Sequence, residues 1–293
     1  MSAADAVREI TAMLNRQPTP ANEVEQSVAK AFNEQPIAGN HYRRKSKATF
    51  QPTKLKRVAE RMAHVENPAR YICERSNVVV ETQNSASVLR RLYHRHGGAK
   101  ILVFNHYKSQ GQLLWEAANS DRIQQDKIPL DEGDGVWFLP QPVDGEFHPN
   151  PRQDNKPSRR SEESVTAWQY LVLESDEASE ADWLRCLIQL PIPIVAITQS
   201  GGKSVHALVR LNADSKEDFD RQVDAMKPVL VCLGADPAAL SAIRLTRLPQ
   251  ATRGDRNQRL LYLWPEANGM PISELETQVE RFGDDYKEAL RYV

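Results

Sequence analysis

Cysteine is scarce in this sequence. Cys73, Cys186 and Cys232 are the three in 293 residues, far apart and in no CxxC pair. That spacing excludes a zinc ribbon or zinc knuckle. Cys186 and Cys232 lie in apolar helical patterns, as reduced core residues do. A long apolar run is also missing, so no segment reads as spanning a bilayer. The N-terminus has no basic stretch followed by an apolar one, which argues against a secretion signal and for a cytoplasmic protein. Nor is one sign of charge in excess. A formal net charge of −1 excludes nucleic-acid binding through bulk charge alone. The composition, 40% hydrophobic and 26% charged, is that of a globular protein with one large core or two smaller ones.

Charge is nevertheless placed unevenly. Arg43, Arg44, Lys45, Lys47, Lys54, Lys56 and Arg57 run on with no acid between them, and Arg152, Lys156, Arg159 and Arg160 form a second basic group. Each reads either as solvated surface or as phosphate contact.

Residues 3–15 and 22–34 have amphipathic helical spacing, separated by Pro18-Thr-Pro20. Residues 36–55 are basic and polar without a period, which reads as a linker or mobile arm. Residues 77–81 read as a strand. Ser85 opens a helix through Leu89, Leu92 and Tyr93 that Gly97 and Gly98 close. Residues 101–104 and 135–139 are further strands. Residues 141–161 turn to Pro, Asn, Asp, Gly and Arg, a long loop of the kind that often carries function.

From Trp168 onward the pattern is regular. Residues 169–174 form a strand, and Ser179 caps a helix carrying Trp183, Leu184, Leu187 and Ile188. Residues 192–198 are β-rich, Gly201-Gly202 turns the chain, and 204–211 is the next strand. Ser215 with Asp218 caps a helix through Phe219, Val223, Met226 and Leu230, which Gly234 ends. Residues 243–248 are a last short strand. The order is β-α-β-β-α-β, the split βαβ or ferredoxin-like arrangement. Residues 260–263 extend the sheet, and 272–292 form a tail of one or two helices.

Three clusters are able to carry chemistry. Glu174 and Asp176 stand two apart at a strand end, which puts both carboxylates on one face. Converging carboxylates repel unless a cation neutralises them, and hard oxygen donors suit Mg²⁺ or Mn²⁺. The same pair also suits a solvated turn at a helix N-terminus. Ser200-Gly-Gly-Lys-Ser204 is not a P-loop: position 197 is Ile where that motif needs glycine, and an alternating strand follows where it needs a helix. The glycines make a strand–strand turn. Alternation then puts Ser204 and His206 on one face with Lys203 beside them, able to grip phosphate oxygens or simply to complete a hairpin. Asp236 follows a helix end, and Arg244 and Arg247 follow it, with Arg253, Arg256 and Arg259 beyond. Guanidinium groups bind phosphate bidentately, while Asp236 also suits a turn before Pro237.

This set resembles the catalytic motifs of the archaeo-eukaryotic primase superfamily, the primase–polymerases, over residues 70–265. Their acidic pair at a strand end corresponds to Glu174 and Asp176, their Ser-x-His hairpin to Ser204-Val205-His206, and their acid before an Arg-containing strand to Asp236 ahead of Arg244 and Arg247. Glu174 departs from the family, where Asp is commoner. Asp255 is the alternative third acid. The family's zinc-binding element is absent, as in many plasmid- and phage-type members.

The resemblance implies an α+β fold: an N-terminal α/β module and an RRM-like, ferredoxin-like β-α-β-β-α-β catalytic module, with flanking helices. Residues 1–60 would be a helical leader and basic linker. Residues 61–265 would be the catalytic core, divided into 61–165 and 166–265, and 266–293 a helical tail. It implies a template-directed nucleotidyltransferase, a DNA primase or primase–polymerase, with a two-metal site for Mg²⁺ or Mn²⁺. Glu174, Asp176 and Asp236 would be the metal ligands and catalytic acids. Lys203, Ser204, His206, Arg244 and Arg247 would hold a nucleoside triphosphate, and Arg159, Arg160 and Arg253 would contact DNA. Partners would be single-stranded DNA and a replicative helicase, with no membrane. The alternative is a catalytically silent primase-fold module that binds DNA in a replication complex. A nucleotide-sugar glycosyltransferase would account for Glu174 and Asp176 but not for the Ser-x-His hairpin. A rolling-circle nickase would need histidine where Ser204 stands.

Overall fold

The structure is a computed structural model and describes residues 3–14, 48–94, 98–115 and 123–283. The second amphipathic segment at 22–34, Arg43, Arg44, Lys45, Lys47, and residues 284–293 of the expected tail lie outside the described residues. The architecture is α+β, with two four-stranded antiparallel sheets and helices packed around them.

The chain opens with α1 (Ala3–Leu14), α2 (Pro52–Glu60), α3 (Pro68–Cys73) and α4 (Ser85–Tyr93). Lys54, Lys56 and Arg57 therefore stand on a helix, where the sequence reading had placed the end of a linker. Pro52 at the first helical position has no amide hydrogen to lose, which makes it a starting signal. α4 opens at Ser85 as expected and is capped by Asn84, whose side chain accepts from the Ser87 amide at 2.8 Å.

Next come β1 (Lys100–Phe104), β2 (Gln112–Trp115), β3 (Trp137–Phe138) and a small hairpin, β4 (His148–Asn150) with β5 (Lys156–Ser158). Then follow β6 (Trp168–Glu174), α5 (Glu180–Gln189), β7 (Ile194–Gln199), β8 (Val205–Ala213) and α6 (Lys216–Cys232). The chain ends in β9 (Thr246–Arg247), a short hairpin of β10 (Thr252–Arg253) and β11 (Arg256–Asn257), β12 (Leu260–Leu263) and α7 (Gln278–Phe282). The helix caps Ser179 and Ser215 accept from the amides of Asp182 and Asp218.

The second sheet has the order β12-β7-β8-β6, all antiparallel. Its first three strands keep the split βαβ order. The fourth does not: residues 246–247 pair with β3 in the first sheet, whose order is β2-β1-β3-β9. Packing gives the reason. Ile243 and Leu245 fill a small core with Leu102, Phe104, Leu139 and Val143 on one face of the first sheet. The free edge of β6 is taken by the buried amide of Gln141, which accepts from the amides of Gln169 and Tyr170 and donates to the Tyr170 carbonyl. β12 supplies the fourth strand on the opposite edge, beside β7.

Two further expectations change. Residues 77–81 are not a strand but lead into a 3₁₀ turn at Val80–Thr82. The backbone carbonyls of Ser76 and Val78 are satisfied by the Gln278 side chain, so no ladder is needed there. Within 141–161 the chain forms the β4–β5 hairpin, turned by Asp154 and Asn155 at φ 54° and 58°. These residue types tolerate the left-handed region. Among the described residues, no helix is long and apolar enough to cross a membrane.

Candidate active site

The site lies where the ends of β6 and β8 face the β3–β9 edge of the first sheet. Alternation decides which side chains look that way. Tyr170 points toward the first module, donating its hydroxyl to the Leu92 carbonyl, so Glu174 four residues on shares that face. Cross-strand register sets Glu174 directly opposite His206, with Thr198 on the other side of His206.

Glu174 is 4% exposed and carries two partners. His206 Nδ1 lies 3.1 Å from one carboxylate oxygen, and the Arg244 guanidinium contacts the other. Arg244 also reaches Asp236 at 3.7 Å. Asp236 is held in place by its backbone, whose amide donates to the Glu174 carbonyl at 2.8 Å. Its carboxylate accepts from the Ala238 amide at 2.9 Å, which caps the turn after Pro237. Asp176 sits on the bend after β6 and is exposed. One oxygen from each of Glu174, Asp176 and Asp236 lies within 4.8 Å of the others. Three hard oxygen donors this close fit a divalent cation such as Mg²⁺ or Mn²⁺. Arg244 already supplies a positive charge between two of them.

Asp255, the alternative third acid, has a side chain 95% exposed and pairs with Arg256 at 3.9 Å, outside the cluster. Spacing to the arginines favours Asp236, and the fold brings it into the cluster.

The Ser-x-His hairpin faces the acids. Ser204 Oγ is 3.4 Å from His206 Nε2 and 3.2 Å from Ser200 Oγ. Thr246 of β9 stands 3.2 Å from His206 Nδ1. Burial, with Arg247 and Arg253 nearby, pushes the imidazole down to about 3, so the ring is neutral at pH 7. With a carboxylate opposite Nδ1, the single ring proton belongs on Nδ1 and Nε2 accepts. No helix follows the glycine turn, in line with the strand reading. Gly201 has φ 68°, and a Cβ on Gly202 would sit 2.5 Å from the Arg253 guanidinium that braces the turn.

The remaining cations divide. Arg244, Arg247 and Arg160 line a cleft of about 280 Å³ together with Glu174, Asp176, Ser204, His206, Leu245, Tyr107 and Trp137. Arg247 is held by the Asp134 carbonyl at 2.5 Å and lies over the Trp137 ring at 4.1 Å. Burial and the neighbouring Arg253 push its guanidinium down to about 10, still fully charged near neutrality. Arg160 donates to the Ile243 carbonyl at 2.9 Å. Lys203, Arg159 and Arg253 do not line the cleft. Lys203 is exposed at the turn, Arg159 lies against Phe147 at 4.5 Å, and Arg253 donates to the Ser200 carbonyl at 3.4 Å. Tyr107, Trp137 and Thr246 belong to the site, and the sequence reading did not find them. Trp137 was visible only as a strand residue. Tyr107 carried one signal, an aromatic in a polar turn after an apolar strand, with nothing tying it to residues 67 or more positions away.

No family model matches this chain, and no curated protein matches it either. Among solved structures it is similar to the AEP domain of the primase-polymerase of cyanophage S-2L, at 14% identity and a TM-score of 0.37, covering 67% of this chain and 94% of that one.

Proposed function

We propose that this protein is a template-directed nucleotidyltransferase, a DNA primase or primase–polymerase that makes primers on single-stranded DNA. One observation carries the reading: Glu174 and Asp176, clustered with Asp236, share a single cleft with the Ser204 hydroxyl and the Arg244 and Arg247 guanidinium groups. Acids alone would suit many metal enzymes. A hydroxyl and two guanidinium groups beside them suit a polyanionic substrate bridging to a metal.

In this reading Glu174, Asp176 and Asp236 would hold two divalent cations, Mg²⁺ or Mn²⁺, which when bound would supply activation of the attacking 3′-hydroxyl and stabilisation of the pyrophosphate leaving group. Ser204, Arg244 and Arg247 hold the triphosphate within the cleft, Lys203 meets it from the exposed turn outside, and His206 acts through the Ser204 hydroxyl rather than on phosphate. His206 ties Glu174 to Ser204, so the acid and the phosphate-binding hydroxyl keep a fixed separation. Arg247 is prepositioned by Trp137 and the Asp134 carbonyl, which lowers the entropy lost on gripping phosphate. Arg159, Arg160 and Arg253 contact DNA, and a replicative helicase is a fitting partner.

The test is de novo synthesis on single-stranded DNA with Mg²⁺ or Mn²⁺ and labelled nucleotides, wild type beside the Glu174→Ala/Asp176→Ala double variant. Short products from wild type alone are expected. No product from either, with an added primer also left unextended, would overturn catalysis and leave a DNA-binding module.

A further inference from the structure

The cleft has an aromatic wall that the phosphate and metal chemistry does not use. Tyr107, in the turn between β1 and β2, is 52% exposed. Its ring meets Trp137 edge-on at 6.5 Å, and His106 lies against it at 5.7 Å with planes 30° apart. Lys108 Nζ is 5.7 Å from the same ring. Trp137 is covered in turn by Arg247 at 4.1 Å. Arg247, Trp137 and Tyr107 therefore adjoin in that order on the wall of the cleft that also holds Glu174 and Asp176.

A tyrosine half in solvent is a weak choice for packing, since its ring gains little from burial. Its value lies in what it offers a ligand: a flat face held by Trp137 and His106, with a cation beside it. Every nucleobase presents a matching flat face, and stacking on an aromatic side chain tolerates any base. A nucleoside triphosphate whose phosphates meet Arg247 would carry its base toward the neighbouring aromatics.

We infer that Tyr107 stacks on the base of the bound nucleoside triphosphate, and that Trp137 is a positioning residue that sets both Tyr107 and Arg247. This rests on the nucleotidyltransferase reading and names the contact that would distinguish a nucleotide from a bare polyphosphate.

The test compares two ligands on the whole protein with Ca²⁺ present: ATP, and inorganic tripolyphosphate, which has the anion without the base. Wild type should bind ATP more tightly than tripolyphosphate. Tyr107→Ala should weaken ATP on the order of tenfold, the scale of one lost stacking contact, and leave tripolyphosphate unchanged. Tyr107→Phe should keep the wild-type ratio, since the ring and not the hydroxyl makes the contact. Trp137→Leu should weaken both ligands, because Arg247 loses its support. Equal loss of both ligands in Tyr107→Ala, or loss of neither, would overturn the inference. So would unchanged ATP binding with weakened single-stranded DNA binding, which would give Tyr107 to a template base. If wild type binds neither ligand, the phosphate-binding reading of the site falls first and the inference with it.

Discussion

Glu174 and Asp176 are chemically alike and structurally unlike. Glu174 is buried and has His206 and Arg244 as partners, so removing its charge strands a guanidinium in a partly buried place. Asp176 is exposed and free of such neighbours in the ion pairs described. Asp176→Asn is therefore the cleaner test of the metal role. It should leave stability within about 0.5 kcal/mol, as exposed substitutions do, while lowering primer synthesis by at least about a hundredfold. A denaturation midpoint beside a synthesis assay reads both, and retained synthesis would remove Asp176 from the chemistry. The thiols give a second prediction. Burial raises Cys73 and Cys186 to about 12, so both stay protonated as pH rises to 9. Iodoacetamide at pH 8.5 should leave these two unmodified in the native protein and alkylate them after unfolding, as peptide mass spectrometry would show.

At the scale of elements, the loop ahead of β3 governs the site more than its length suggests. Asp131 accepts amides from Gly133, Gly135 and Gly254 and so ties that loop to the β10–β11 hairpin. These bonds hold its carboxyl below the usual range. Gly135 has φ 98°, and a Cβ there would lie 2.2 Å from the Gln258 amide oxygen and 2.6 Å from the Arg247 guanidinium. Gln258 in turn bonds the Val136 amide and the Val136 and Leu248 carbonyls. Gly135→Ala should cost roughly 1–3 kcal/mol from backbone strain and displaced partners. It should also weaken tripolyphosphate binding, because Arg247 must move. A variant as stable as wild type would show that the loop relaxes.

Over the whole molecule, the two four-stranded sheets meet at one cleft, and charge is local within a nearly neutral chain. DNA affinity should therefore depend on a few cations. Log affinity for single-stranded DNA should fall linearly with log salt, and Arg160→Ala should reduce that slope by about 0.7, the value for one lost phosphate contact. An unchanged slope would remove Arg160 from DNA contact and leave it a structural role such as the bond to the Ile243 carbonyl.

The sequence by itself determined the strand and helix order from 169 to 232. The apolar run of 169–174, the alternation of 205–211, and the serine caps at 179 and 215 are local signals that survive in the structure because propensity, pattern and burial agree there. The pairing of Ser204 with His206 was legible for the same reason: it follows from period 2. What lay outside the sequence was partner choice. Nothing local says that residues 246–247 join β3, that Gln141 closes the β6 edge, or that 154–155 turn a hairpin. Those outcomes depend on which surfaces compete for the same apolar faces and backbone groups. The third acid shows the difference. Spacing to the arginines favours Asp236 with Asp255 as the alternative, and the bond from the Asp236 amide to the Glu174 carbonyl draws Asp236 into the cluster. Tyr107 and Trp137 reach the cleft by the same route, since proximity between distant segments is a property of packing.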